Sequence, residues 1–183
     1  MARQADKVPF GYEPEPEPAA ARGSIWVYDS FEAYAVQRLE RVQELADRKN
    51  MAKLVLYPLH EQTLRRMGHK DAEPYYRRAD ALGQLLERVE PRAETLIDRW
   101  EGRRKKYTPM DTAFRYLADK YKGPHFVYAT LDMANRIAAF DSFEGWIKKL
   151  RFFVDDASSS SDSLHPKLEA YAHRWELVHD IPR

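Results

Sequence analysis

Three short apolar runs, each followed at once by a helix-start signal, constrain this chain more than any other feature. They are Ile25-Trp26-Val27-Tyr28 leading into Asp29-Ser30-Phe31-Glu32, Leu54-Val55-Leu56-Tyr57 leading into Pro58-Leu59-His60-Glu61, and Phe126-Val127-Tyr128 leading into Thr130-Leu131-Asp132. Branched and aromatic residues dominate them and none is long enough for a buried helix, so each reads as a strand. A helix between two such strands carries the chain back to the same end of the sheet, which implies parallel pairing. All three exits then share one edge, where open α/β sheets bind their ligands.

The helical spacing of Tyr34, Leu39, Val42 and Leu45 predicts a helix over 30–49, capped by Asp29 or Ser30 with Glu32 completing a capping box. After the second strand a short helix over 59–67 ends at Gly68, another starts at Pro74, and Pro91 restarts a third with Leu96, Ile97 and Trp100 inward. Residues 70–107 thus read as a helical insertion. Thr108-Pro109-Met110-Asp111 opens a further helix that stops at Gly123-Pro124. Beyond the third strand the pattern predicts helices over 131–140 and 141–154, the latter on Trp146, Ile147, Leu150, Phe153 and Val154. Ser158 to Ser163 reads as a polar hinge, and a closing helix over 166–178 carries Leu168, Tyr171 and Trp175 back onto the body.

The expected fold is therefore α/β: a small three-stranded parallel sheet flanked by helices, helix-dominated, with strand near a tenth of the chain. Residues 24–183 form one domain of this kind, with the insertion at 70–107 and a packed C-terminal helix. Residues 1–23 read as a disordered tail, because Glu13-Pro14-Glu15-Pro16-Glu17-Pro18 alternates charge with a residue that suits neither helix interior nor sheet. A solvated leader is the simplest role for it. The alternative is a docking peptide anchored by Pro9, Phe10 and Tyr12.

Thirty basic residues against twenty-nine acidic ones leave a formal charge of +1, so no global field points to nucleic acid or anionic membrane. Nucleic acid is not an expected partner, and Arg103 to Lys106 reads as a solvated helix end against the dipole. The chain has no cysteine, which excludes disulfides, thiolate metal sites and cysteine nucleophiles. There is no apolar h-region near Met1, and no apolar run approaches the roughly 20 residues a bilayer requires. A cytoplasmic protein without a membrane segment is expected.

Standard catalytic motifs are missing. Neither a G-x-G-x-x-G nor a P-loop occurs, and none of the seven glycines lies at the three exits. His60-Glu61 opens like a zincin helix, but Leu64 stands where the second histidine would be, so no metal site is expected. No cofactor follows from the residues. The shared edge gathers Asp29, Ser30, His60, Glu61, Thr130 and Asp132, with Arg65 and Arg66 in reach as anion clamps. Capping accounts for most of these, whereas nothing in capping or packing specifically calls for imidazole at His60. Asp29-Ser30-Phe31-Glu32 is echoed by Asp141-Ser142-Phe143-Glu144, which repeated capping explains more simply than duplication.

Two functional readings follow. The first is a protein-interaction or regulatory module without chemistry, with a protein partner or homo-oligomer meeting an exposed aromatic patch that includes Trp146, Phe152 or Trp175. The second is a small-ligand or nucleotide-like binding protein or enzyme, with a pocket that holds His60 beside Asp29 or Asp132. The absence of catalytic motifs favours the first.

Overall fold

Six strands, all parallel, form one sheet in the computed structural model, which describes residues 20–157 and 163–178. Most of the expected tail and hinge lies outside the described residues. The first half of the chain runs β1 (Ser24–Asp29), α1 (Val36–Arg48), β2 (Lys53–Pro58), α2 (Glu61–Arg66), α3 (Tyr75–Glu87), β3 (Glu94–Ile97) and α4 (Trp100–Arg104). The second half runs α5 (Met110–Lys120), β4 (His125–Thr130), α6 (Leu131–Ala138), α7 (Phe143–Ile147), β5 (Arg151–Asp155), α8 (Pro166–Ala170) and, after a 3₁₀ turn, β6 (Trp175–Leu177). Their spatial order is β3-β2-β1-β4-β5-β6, the doubly wound arrangement in which the chain grows outward from the centre in both directions.

Register places Val27 of β1 opposite Leu56 of β2 and Tyr128 of β4. Alternation along each strand splits the core in two. Ile25, Val27, Leu54 and Leu56 face α1 and α3, where Leu39, Val42, Leu45 and Leu82 close over them. Trp26, Tyr28, Val55, Val127, Phe152 and Val154 face the opposite layer, built from α2 and α5 to α8. With helices on both faces, the central strands are apolar throughout rather than alternating.

The three-stranded sheet inferred from sequence is corrected to six strands, and strand content rises to 19% against 45% helix. Each extra strand hides behind a helical signal. In β3, Glu94-Thr95-Leu96-Ile97 is only four residues long and half exposed, and Pro91 before it resembles a helix start. The stretch 70–107 is therefore α3, β3 and α4 rather than a purely helical insertion. In β5, the spacing of Trp146, Ile147, Leu150, Phe153 and Val154 imitates a helix, but the helix stops at Ile147 and Phe152-Phe153-Val154 is a fully buried strand. The closing helix is likewise cut to five residues, after which Trp175-Glu176-Leu177 adds the edge strand.

One difference falls at the first exit. The helix begins at Val36, not Ser30, and residues 30–35 form a loop in which Phe31 and Ala33 take left-handed backbone angles, φ 57° and 47°. Asp29 Oδ1 accepts from the Phe31 N–H at 3.1 Å and Ser30 Oγ from the Glu32 N–H at 3.2 Å. Short polar side chains thus offer these amides a turn instead of a helix. Phe143 in the echoed motif is instead the first residue of α7, so the two copies of the motif differ in conformation.

Candidate functional site

At the carboxyl edge, β1 and β4 are neighbours whose chains leave in opposite directions. The chain from β1 passes to α1 on one face of the sheet, and the chain from β4 passes to α6 on the other. Between the diverging chains lies a cavity of about 240 Å³. Strand ends supply Asp29, Thr130 and Asp155, the loop after β1 supplies Ser30, Glu32 and Tyr34, and α1 supplies Arg38. Met67 and His69, together with Asp132 and Arg136 of α6, complete the opposite wall.

Polar chemistry here is dense and mostly pre-paired. Asp155 is buried, accepts from the Tyr128 hydroxyl and lies 3.5 Å from Arg38 Nε and 3.2 Å from Arg41 Nη2. Arg136 meets Asp132 at 3.1 Å and donates to the Met67 carbonyl. His69 Nε2 lies 2.7 Å from Glu32 Oε2, while Glu32 Oε1 accepts from the Glu73 N–H at 3.0 Å. Partial burial pushes the Glu32 carboxyl up, but the hydrogen bonds from Glu73 and His69 and the nearby charges of His69 and Arg78 outweigh it and hold it below the usual range. A carboxylate that fixes one imidazole nitrogen while the ring edges a cavity is an arrangement suited to acid–base work.

Two groups are less settled. Burial pushes the Asp29 carboxyl up, against the Phe31 and Ser30 hydrogen bonds and the Arg38 charge. The Tyr34 hydroxyl is enclosed at the cavity wall, beside Asp29 and Asp155, with no hydrogen-bond partner among the described residues. An enclosed hydroxyl without a partner carries a desolvation cost of about 1–3 kcal/mol, which a ligand atom in the cavity would relieve.

Of the residues singled out from sequence, Asp29, Ser30, Thr130 and Asp132 line this cavity together. His60, Glu61 and Arg65 do not line it. His60 is buried as the N-cap of α2, where its Nδ1 accepts from the Gln62 N–H at 3.1 Å and its ring stacks on Tyr75. Burial lowers its pKa against the Glu61 charge, so the neutral form that a cap needs is the favoured one. Glu61 accepts from the Tyr75 N–H at 3.0 Å, and Arg65 is exposed on α2. Thr130 is a true cap, accepting from the Met133 N–H at 3.2 Å.

Sequence reasoning missed Glu32, Tyr34, Arg38, His69, Arg136 and Asp155. Asp155 had a usable signal, an acid directly after Phe-Phe-Val, but only once that run is read as a strand. His69 and Arg136 had none, since the loop and helix that carry them meet the cavity only through the strand order.

The β2 exit is built differently. Glu101 of α4 is fully buried, accepting from the His60 N–H at 3.0 Å and from the Thr63 hydroxyl. The Thr63 oxygen in turn accepts from the Thr108 N–H at 3.0 Å. Burial pushes Glu101 up to about 7 against the hydrogen bonds from Thr63 and His60. Beside it Arg78, 1% exposed, donates at 2.7 Å to each of three carbonyls, those of Ser30, Leu59 and Glu73.

Among the described residues no helix is long and apolar enough to cross a membrane, and no three His, Asp or Glu side chains gather as a metal ion would require. No family model matches this chain, and no curated protein matches it in sequence.

Proposed function

We propose that the protein binds a small, polar, nucleotide-like ligand in the crevice between the ends of β1 and β4. The observation that carries this reading is a cavity placed where the strand order reverses, the position at which doubly wound sheets take their ligands. Its size, about 240 Å³, lies below the roughly 300–1,000 Å³ of drug-sized pockets, which favours a mononucleotide or sugar phosphate over a dinucleotide. Asp29 and Thr130 suit sugar hydroxyls, and Tyr34 offers a donor. Arg38 and Arg136 suit a phosphate, held by side chains because no glycine-rich turn wraps it.

The alternative, an interaction module without chemistry, has less behind it. Trp146 and Phe152 are buried, and Tyr76, at 60%, is the only strongly exposed large hydrophobic side chain among the described residues. Scattered exposed aromatics of this kind do not make a docking patch.

A thermal-shift and calorimetry screen against nucleoside monophosphates, nucleoside triphosphates and sugar phosphates tests the proposal. A ligand present at about 100 times its Kd stabilises the native state by about 2.7 kcal/mol. Asp29→Asn should weaken that ligand about tenfold, or 1.4 kcal/mol, as read from the shift relative to the variant's own unliganded melting temperature. No melting shift with any of the three classes would overturn it. For a ligand that is turned over, loss of turnover with retained binding in His69→Gln would add an acid–base role to the site.

A further inference from the structure

The opposite edge of the sheet, where the strands begin, has a different character. Two depressions open there. The larger, about 400 Å³, is lined by Ala20, Arg22, Lys49 and Arg151 together with the Phe126 and Phe153 rings, which stack at 5.3 Å. The smaller, about 300 Å³, is lined by Gly23, Lys53, Lys120, Tyr121 and Lys122. Six cations therefore border the two depressions; Arg151 faces Glu176 at 3.7 Å and Lys120 meets Asp98 at 3.2 Å, which leaves Arg22, Lys49, Lys53 and Lys122 to set the charge of the edge. The concentration is notable in a chain whose formal charge is only +1. Residues 22–24 run between them, with the Arg22 N–H donating to Asn50 and the Ser24 N–H to Pro124.

We propose that this edge is a docking surface for an acidic, proline-rich peptide, and that Glu13–Pro18 of this chain is its occupant. That segment lies outside the described residues, and the described chain begins at Ala20, which itself lines the larger depression. The tether is therefore one residue long, and such a tether gives an effective concentration in the millimolar range without any added contact. Reach agrees. In polyproline geometry, at ~3.1 Å per residue, the segment spans about 16 Å. The entries of β2, β1, β4 and β5 span about 14 Å at ~4.8 Å per strand.

Chemistry agrees as well. Glu13, Glu15 and Glu17 match lysine and arginine side chains, while Pro14, Pro16 and Pro18 match the half-buried Phe126 ring, which rests on the buried Phe153 at 5.3 Å and offers the aromatic surface on which proline-rich segments dock. The surface lies at the far end of the strands from the crevice, so it is independent of the ligand proposed there.

Zero-length carbodiimide coupling of the full chain, prepared as an equal mixture of ¹⁴N- and ¹⁵N-labelled protein, tests the assignment. Mass spectrometry should find Glu13, Glu15 or Glu17 joined to Lys49, Lys53 or Lys122 in isotopically pure pairs. These should fade in 1 M salt, where the Debye length is about 3 Å. Isotopically mixed pairs would assign the surface to a second copy's leader and overturn the proposal, as would absence of leader coupling or its spread to Lys70, Lys105 and Lys167. A second measurement uses a fluorescent single-stranded oligonucleotide as a polyanion probe. Replacing Glu13, Glu15 and Glu17 by Gln should raise its affinity about tenfold by uncovering the edge. Unchanged affinity would mean that the edge was open to other polyanions throughout.

Discussion

The exit of β2 and the paired exits of β1 and β4 carry similar residue types and came out opposite in kind. At β2, His60, Thr63 and Glu101 are buried and bonded chiefly to one another and to backbone. At β1 and β4, Asp29, Thr130 and Tyr34 surround open space. Topology separates them. Strands β1 and β4 send their chains to opposite faces, so no element among the described residues covers the gap between them. After β2, the chain returns through β3 into α4, and Glu101 is brought directly over the α2 N-terminus. The lesson is that polar residues at strand ends become structural wherever the chain folds back over them. Where it diverges they are left facing open space, even when paired with one another.

The comparison breaks most readily at Arg78. Its guanidinium ties the loop after β1, the end of β2 and the start of α3 to one buried point. Replacing it by Met keeps the volume but strands three carbonyls and leaves Glu61 without its cation, for a loss of about 3–5 kcal/mol. Urea unfolding is the measurement, and a midpoint shift worth under about 1 kcal/mol would place Arg78 among the replaceable groups. Next in size is Gly102→Ala on α4. An added Cβ there would overlap the Tyr75 ring, which also stacks on His60, so overpacking should cost about 1–3 kcal/mol. The same substitution at Gly145, whose Cβ would meet no described atom within 4 Å, serves as the control and should be neutral or stabilising.

Glu101 gives the closed region a pH signature. Its folded pKa is raised to about 7 by burial, above the value of an unfolded glutamate. The native state therefore binds the proton more tightly. The stabilisation is complete below the unfolded pKa, near 4.3, and is lost as pH rises through about 7. Between those limits wild-type stability should fall relative to Glu101→Gln by about 1–3 kcal/mol. His60, whose pKa is lowered, works in the opposite sense, and Asp29 in the same one. Both are present in the two proteins, so the difference between them isolates Glu101. A flat difference across that range would show that Glu101 keeps its charge and that the closed region is wetter than its burial implies.

How far the sequence reveals this arrangement follows the same division. The central strands are readable because Ile25 to Tyr28, Leu54 to Tyr57 and Val127 to Ala129 are buried on both faces and carry unbroken apolar runs. Strands β3 and β6 sit at the sheet edges with half-exposed side chains, and β5 shares its apolar residues with a helical spacing, so periodicity misassigns all three. Asp29 and Thr130 were placed on the correct edge by their strands. His60 stands out in the sequence because imidazole is an uncommon cap, yet capping is what it does. The partners that matter at the crevice, Glu32 with His69 and Arg38 with Asp155, are separated by 37 and 117 positions, and only the strand order brings them together.

The smallest expected effect sharpens the open side of the comparison. Glu32 and His69 meet at 2.7 Å across the crevice mouth, with the His69 side chain 40% exposed. A partly solvated pair of this kind is worth roughly 0.2–1 kcal/mol. A double-mutant cycle with Glu32→Gln and His69→Gln should return a coupling in that range from urea unfolding at neutral pH. Because the Glu32 pKa is held low in the folded protein, its contribution is present above the unfolded carboxylate pKa and is lost as pH falls through the lowered folded value. A coupling of several kcal/mol would instead mean that the pair is as closed as Glu101 and Thr63. The crevice would then be a structural seam, and its claim to bind a ligand would fail with it.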